Sequence, residues 1–339
     1  METNQYFIQK AEDSTPPLHE TEIRSDCVVC ITSDNAAPFG ARVEKAGGLQ
    51  RAFDSGDRFV LDFGQHCVGR LSFRVERCDR YLDAPVRLKL RFGEIPAEIL
   101  RDFSDYSGGL CASWLQEEMI HIDFCGMITL PRRYCCRYVG VTVLNTPRRV
   151  CLSDFTVSHV SSVDISGDTV TLKTQDSLLL AIDRVGAKTL ADCMQNVYED
   201  GPKRDRRLWS GDLRLQALTD YYIYHNDSLV RRCLYLFAAC AEKGKYLPGC
   251  LYCKPELFYD DGMGIMDYAL LYTVTLCEYY EHTRDAETAR ELFPVAKQQI
   301  DITVAALDQN RIVTLPPSGW AGFIDWAPDI RLVTAEEGV

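Results

Sequence analysis

The chain has 339 residues, a formal charge of −12, and 46% hydrophobic and 25% charged residues. That length exceeds one ordinary core and argues for two domains, while the composition is that of a globular protein. The acidic balance excludes nucleic acid and anionic membrane as partners, because both need clustered Lys and Arg, and it fits a neutral substrate such as a sugar.

No apolar run approaches the ~20 residues that span a bilayer. The start, Met-Glu-Thr-Asn-Gln-Tyr, lacks the basic residues and apolar stretch of a signal peptide, so a cytoplasmic location is expected. The 15 cysteines are then expected as reduced thiols, many buried as small hydrophobes. Two Cys-x-x-Cys pairs, Cys27/Cys30 and Cys250/Cys253, lie too far apart in the chain to form a four-ligand zinc knuckle. No metal and no cofactor is expected.

In chain order, residues 1–25 are polar, contain Pro16-Pro17, and read as a flexible lead-in. Residues 26–163 read as β structure, with short apolar or alternating runs at Phe59–Phe63, Leu71–Val75, Val86–Phe92, Met119–Phe124 and Tyr138–Val143. Val86, Leu88, Leu90 and Phe92 alternate with Arg87, Lys89 and Arg91, as in an antiparallel strand buried on one face. Many strands without intervening helices imply an antiparallel β-sandwich.

From Asp176 the apolar spacing becomes helical, and 164–339 reads as a helical domain. Helices are expected over about 176–194, 212–225, 228–243, 264–282 and 294–308, the last beginning at Pro294, which suits a first turn. The 264–282 stretch is apolar on nearly every side and is expected to be buried on two faces, as in the inner ring of an α/α toroid.

Between the first two helices, Asp200, Asp205 and Asp212 share a short stretch with Lys203, Arg204, Arg206, Arg207 and Trp209. Gly201-Pro202 and Ser210-Gly211 break the helix on either side, so the segment is a loop, with Ser210 or Asp212 available to cap the helix that follows. Glycoside hydrolysis needs a protonated carboxyl beside the leaving oxygen and a second carboxylate as base or nucleophile. Burial and like charges raise one carboxyl pKa while Arg neighbours lower another, so one cluster can hold both states. Trp209 offers a flat apolar face for a pyranose. The alternative is a solvated loop whose charges neutralise each other.

The segment Asp200–Asp212 resembles the signature of glycoside hydrolase family 78, the α-L-rhamnosidases, which runs Asp-Cys-Pro-x-Arg-Glu-Arg-x-Gly-Trp-x-Gly-Asp. Asp200, Pro202, Arg204, Arg206, Trp209, Gly211 and Asp212 match without gaps. It is closer still to a divergent branch written Asp-Gly-x-Lys-Arg-Asp-Arg-x-x-Trp-x-Gly-Asp. Leu61–Leu71, with its Asp-Phe-Gly-Gln, resembles a strand pair of the family's β-sandwich, and Gly322–Trp326 resembles an Asp-Trp loop of its barrel.

The resemblance implies a β-sandwich followed by an (α/α)6 six-hairpin barrel, and inverting hydrolysis of a terminal α-linked deoxy-sugar. It places Asp205 at the general acid and Asp200 and Asp212 at sugar-binding or supporting carboxylates. Arg204 would orient them, Trp209 and Trp326 would be pocket walls, and Asp325 would contact a sugar hydroxyl. Two positions depart from the family pattern: Asp205 replaces Glu, one methylene shorter, and Leu208 replaces Gly.

About five helices are expected where the barrel has twelve, and the family's general base lies in the later helices. A truncated or partial form is therefore expected, either a hydrolase or a non-catalytic carbohydrate-binding fragment. An incomplete ring leaves an apolar edge prone to self-association.

Other features carry less. Asp62-Phe63-Gly64 lacks the companion motifs of a kinase. His66, His121 and His159 are scattered, Asp260-Asp261 with Gly262 reads as a turn, and Trp114 reads as core.

Overall fold

The structure, a computed structural model, describes residues 3–50, 52–78, 82–108, 111–166, 172–259 and 264–313. The chain divides into two compact units, Glu20–Val160 and Met1–His19 with Ser161–Val339. A helix, α1 (Gln5–Asp13), comes first. The strands β1 (His19–Arg24), β2 (Cys27–Ser33), β3 (Ala41–Gly48), β4 (Ala52–Phe53), β5 (Arg58–Arg77) and β6 (Val86–Gly93) follow. After a short α2 (Ala97–Leu100) come β7 (Gln116–Ile122), β8 (Gly126–Thr129), β9 (Tyr134–Asn145) and β10 (Val150–Ser161).

Among the described residues these strands form one hydrogen-bonded antiparallel network with the central order β1-β10-β5-β9-β6-β7. It is continuous because β5, at 20 residues, is long enough to pair β2 and β9 near its start and β10 and β8 further on. Alternation along β5 sends Phe59, Leu61 and Phe63, then Leu71, Phe73 and Val75, into one core. The 86–92 alternation holds: Val86, Leu88, Leu90 and Phe92 are buried, while Arg91 pairs with Glu117 on β7 at 2.9 Å. Trp114, expected in the core, is only half-buried, in a 3-10 turn (Ala112–Trp114).

Cys78 and Cys151 are joined in a disulfide, where reduced thiols were expected. The β5–β10 ladder pairs Glu76 with Cys151 and brings the two cysteine Cα atoms to 5.6 Å. Cys67, Cys135, Cys136, Cys193, Cys233, Cys240 and Cys250 are buried.

The helical unit comprises α3 (Ser177–Cys193), α4 (Ser210–Ile223), α5 (Asp227–Ala239), α6 (Met266–Thr283) and α7 (Ala286–Ala305), with two-residue strands β11 (Leu208–Trp209) and β12 (Cys250–Leu251). Leu229–Ala239 of α5 is buried apart from Arg231, so α5 is the centre about which the others gather. None of the described helices is long and apolar enough to cross a membrane.

Four expectations about this region change. Residues 5–13, expected to be flexible, form α1, with the Asn4 side chain accepting from the backbone N–H of Tyr6 and Phe7. This helix packs on α5, and the buried Arg232 guanidinium donates to the Ala11 carbonyl at 2.8 Å and to the Glu12 carboxylate. A cation at those last carbonyls complements the helix dipole. α7 begins at Ala286 and runs through Pro294, because Asp285 caps it by accepting from Thr288 N–H at 3.1 Å.

α6 is buried on one face only, through Ala269, Tyr272, Thr275, Leu276 and Tyr279. Val274, Cys277 and Glu281 on the other side are exposed. Finally, neither Ser210 nor Asp212 caps α4: Trp209 is the cap residue and makes no side-chain bond, and Ser210 is already helical.

Candidate active site

The carboxylate loop lies between α3 and α4. After α3 the chain turns back on itself, Glu199 N–H donating to the Cys193 carbonyl at 2.9 Å. The Tyr198 hydroxyl then donates to Asp220 near the far end of α4 at 2.6 Å. The next eight residues close on themselves. Asp200 N–H donates to the Arg207 carbonyl at 3.0 Å, and Arg206 N–H to the Gly201 carbonyl at 3.1 Å. A Cβ at Gly201 would lie 2.2 Å from the Arg204 carbonyl oxygen, so only glycine permits this closure.

The Asp200 carboxylate stands inside the loop and accepts from Arg207 N–H at 3.1 Å and from Asp205 N–H at 3.4 Å. Burial pushes its pKa above the ordinary carboxylate value. The N–H groups of Arg207, Asp205 and Gly201 oppose that rise, and the Asp205 charge adds to it. Asp205 is held between two cations, with Arg204 Nε 3.5 Å from one oxygen and an Arg207 terminal nitrogen 3.5 Å from the other. Arg207 is itself seated on an aromatic face, its guanidinium carbon 4.2 Å from the Tyr252 ring centre. The pairing of Leu208 with Leu251 and Trp209 with Cys250 sets Tyr252 opposite Arg207.

Asp212 sits in the first turn of α4, where the helix dipole favours a negative charge by roughly 0.3–1 kcal/mol. Burial outweighs it: the carboxyl pKa is pushed up to about 6, with the Asp200 charge contributing in the same direction. Nearby, burial holds the Cys193 thiol at about 12 and the Cys250 thiol higher still, so neither is a nucleophile near neutral pH.

Trp209 is half-buried, and the Tyr268 ring stands edge-on to it, with centroids 6.1 Å apart at 89°. A Cβ at Gly211 would fall 2.6 Å from that Tyr268 ring, so any larger residue there must displace the ring.

The sequence-predicted residues Asp200, Arg204, Asp205, Trp209 and Asp212 thus share one loop and the helix start that follows it. Asp325, Trp326 and the Asp260-Asp261 pair lie outside the described residues. Sequence reasoning missed Tyr252 and Tyr268, which hold Arg207 and Trp209. Each comes from a distant segment, and only the β11–β12 pairing and the α4–α6 packing bring them in.

The chain's relatives agree with this architecture. Residues 25–161 match the family model for the glycosyl hydrolase family 78 alpha-rhamnosidase N-terminal domain, and residues 167–337 that for the bacterial alpha-L-rhamnosidase six-hairpin glycosidase domain. No curated protein sequence matches. Among solved structures, a rhamnosidase from Klebsiella oxytoca with rhamnose bound is 39% identical with a TM-score of 0.90. The match covers 98% of this chain and 66% of that one, so the chain spans just under two thirds of its relative.

Two further structures share the fold. The family 78 rhamnosidase of Bacillus sp. GL1 has 21% identity and a TM-score of 0.66, over 85% of this chain and 30% of its own. The alpha-L-rhamnosidase of Dictyoglumus thermophilum has 17% identity and a TM-score of 0.60, over 88% and 30%. With an antiparallel β domain followed by a six-hairpin-type helical region, and both matched by the family's own domains, the chain belongs to glycoside hydrolase family 78, the alpha-L-rhamnosidases.

Proposed function

We propose that this chain carries the acid side of an inverting glycosidase site acting on a terminal α-linked L-rhamnosyl or related deoxy-sugar. The observation that carries the reading is the gathering of Asp200, Asp205, Asp212 and Trp209 in one closed loop and the helix start that follows it. In this reading the Asp205 carboxyl gives its proton to the glycosidic oxygen as the C–O bond breaks. A water attacks the anomeric carbon from the opposite face and loses its proton to a second carboxylate, to which no described residue is assigned.

Asp200, Arg204 and Asp212 bind and orient the sugar, with Trp209 as the wall it stacks on, and Asp325 and Trp326 are assigned to the same pocket. The same proposal includes a cytoplasmic location and self-association through the apolar edge of the incomplete barrel. No cofactor and no metal enters the reaction.

The test is turnover of an aryl α-L-rhamnoside by the full chain, with L-rhamnose binding measured by calorimetry. Asp205→Asn is expected to lower turnover by at least about 100-fold and to leave L-rhamnose binding within about threefold. Undiminished turnover in that variant removes Asp205 from the acid role. Binding without turnover in the unaltered chain marks a non-catalytic carbohydrate-binding form, and loss of both overturns the assignment.

A further inference from the structure

We propose that Tyr268 is a positioning residue of the sugar site: its ring fixes the plane of the Trp209 indole and occupies the space above Gly211. The inference rests on the reading of Trp209 as a sugar-stacking wall. Tyr268 lies in the first turn of α6, far from the carboxylate loop in the chain. Three contacts bring it there. Its ring meets the indole edge-on, centroids 6.1 Å apart and planes at 89°. The Ser210 hydroxyl donates to the Tyr268 carbonyl at 3.2 Å, tying the start of α4 to the start of α6. A Cβ placed on Gly211 would lie 2.6, 2.7 and 3.0 Å from Cζ, Cε1 and Cε2, so the hydroxyl end of the ring lies across the turn that bears Asp212.

An indole is a useful platform for a sugar only if its plane is set before the ligand arrives, because ordering it afterwards subtracts from the affinity. Trp209 is half-buried, and the edge-to-face contact with Tyr268 restricts its plane. Gly211 is the second half of the same device. The missing side chain lets the ring approach the helix closely enough to reach both Trp209 and the turn carrying Asp212.

The experiment uses the full chain labelled with 5-fluorotryptophan. Its four Trp residues give separate 19F resonances, and that of Trp209 is identified by its loss in Trp209→Phe. Tyr268→Phe, which keeps the ring, is expected to preserve the Trp209 resonance and its response to L-rhamnose. Tyr268→Leu is expected to move and broaden it and to weaken L-rhamnose binding about fivefold. Gly211→Ala alone is expected to move the same resonance, and to move it no further in the Tyr268→Leu background. If Tyr268→Leu does not fold, Tyr268→Met serves the same comparison.

A Trp209 resonance unmoved by loss of the Tyr268 ring, or a Gly211→Ala effect equal in both backgrounds, overturns the proposal. A wild-type chain whose Trp209 ignores L-rhamnose overturns the sugar-site reading instead, while the ring comparison still decides what sets the indole.

Discussion

Asp220 has one carboxylate oxygen occupied and one bare. Oδ2 accepts from the Tyr198 hydroxyl at 2.6 Å and from Asn226 N–H at 3.1 Å, while Oδ1 is buried with no hydrogen-bond partner among the described residues. Burial pushes its pKa up to about 6, with the Asp227 charge adding and the two hydrogen bonds opposing. A folded pKa raised above the unfolded value of about 3.9 means that the folded state binds the proton more tightly. Stability is therefore greatest below about pH 4 and is lost as pH rises through about 6.

A rise from about 4 to about 6, at about 1.4 kcal/mol per tenfold change in proton affinity, puts the loss from this buried group at about 3 kcal/mol. Urea unfolding at pH 4.5 and pH 7.5 is expected to show the decline, and Asp220→Asn to remove a large part of it. The Asp200 and Asp212 pKa values are raised in the same direction and add to the slope. At this scale the sequence shows the carboxylates themselves, since Asp200 and Asp212 adjoin the breaks at Gly201-Pro202 and Ser210-Gly211 and Asp205 lies between them. It does not show Tyr252 or Tyr268, because an aromatic residue's partner across a sheet or helix contact leaves no local spacing to read.

Among the elements, α7 shows how two start signals compete. Pro294 suits a first turn, yet the helix begins at Ala286 because Asp285 accepts from the Thr288 N–H and hydroxyl and also from the Tyr279 hydroxyl at 2.8 Å. A cap that satisfies open backbone donors outweighs a residue that only tolerates the position. Asp285→Ala is expected to lower the unfolding free energy by about 1–2 kcal/mol, measured by urea denaturation, whereas a helix starting at Pro294 would make it silent.

α1 was hidden for the opposite reason. Its sequence is mostly polar, and what holds it is the burial of Ala11 and the Arg232 contacts to Ala11 and Glu12, which no local pattern announces. The strands were easier to read, because alternation such as that of 86–92 is itself the burial pattern.

At the scale of the whole molecule, the order of a β domain before a helical one was legible from the change of apolar period near Asp176, and the family's two domain matches follow the same order. What period alone does not give is which helix faces are covered. On α3, Leu178, Ile182 and Val185 form a one-sided stripe at 67%, 59% and 66% exposure. A stripe of that kind favours association. Sedimentation of the full chain across a concentration series is expected to show a rising apparent mass, abolished by Ile182→Lys with Val185→Lys. A single species at every concentration in the unaltered chain would remove this stripe as an association surface.

The bond from Tyr198 to Asp220 gives α4 a second office. The loop bearing Asp200 and Asp205 is pinned at its entrance to the helix's far end and flows at its exit into the helix's first turn. Between Asp212 and Asp220 the helix is about 12 Å of stiff rod, set by its rise per residue. The loop is thus a handle with both feet on one ruler. Its side chains can be exchanged, Glu for Asp or Gly for Leu, while the separation of its feet stays fixed, so the family can retune what the handle grips without redrawing the frame that holds it.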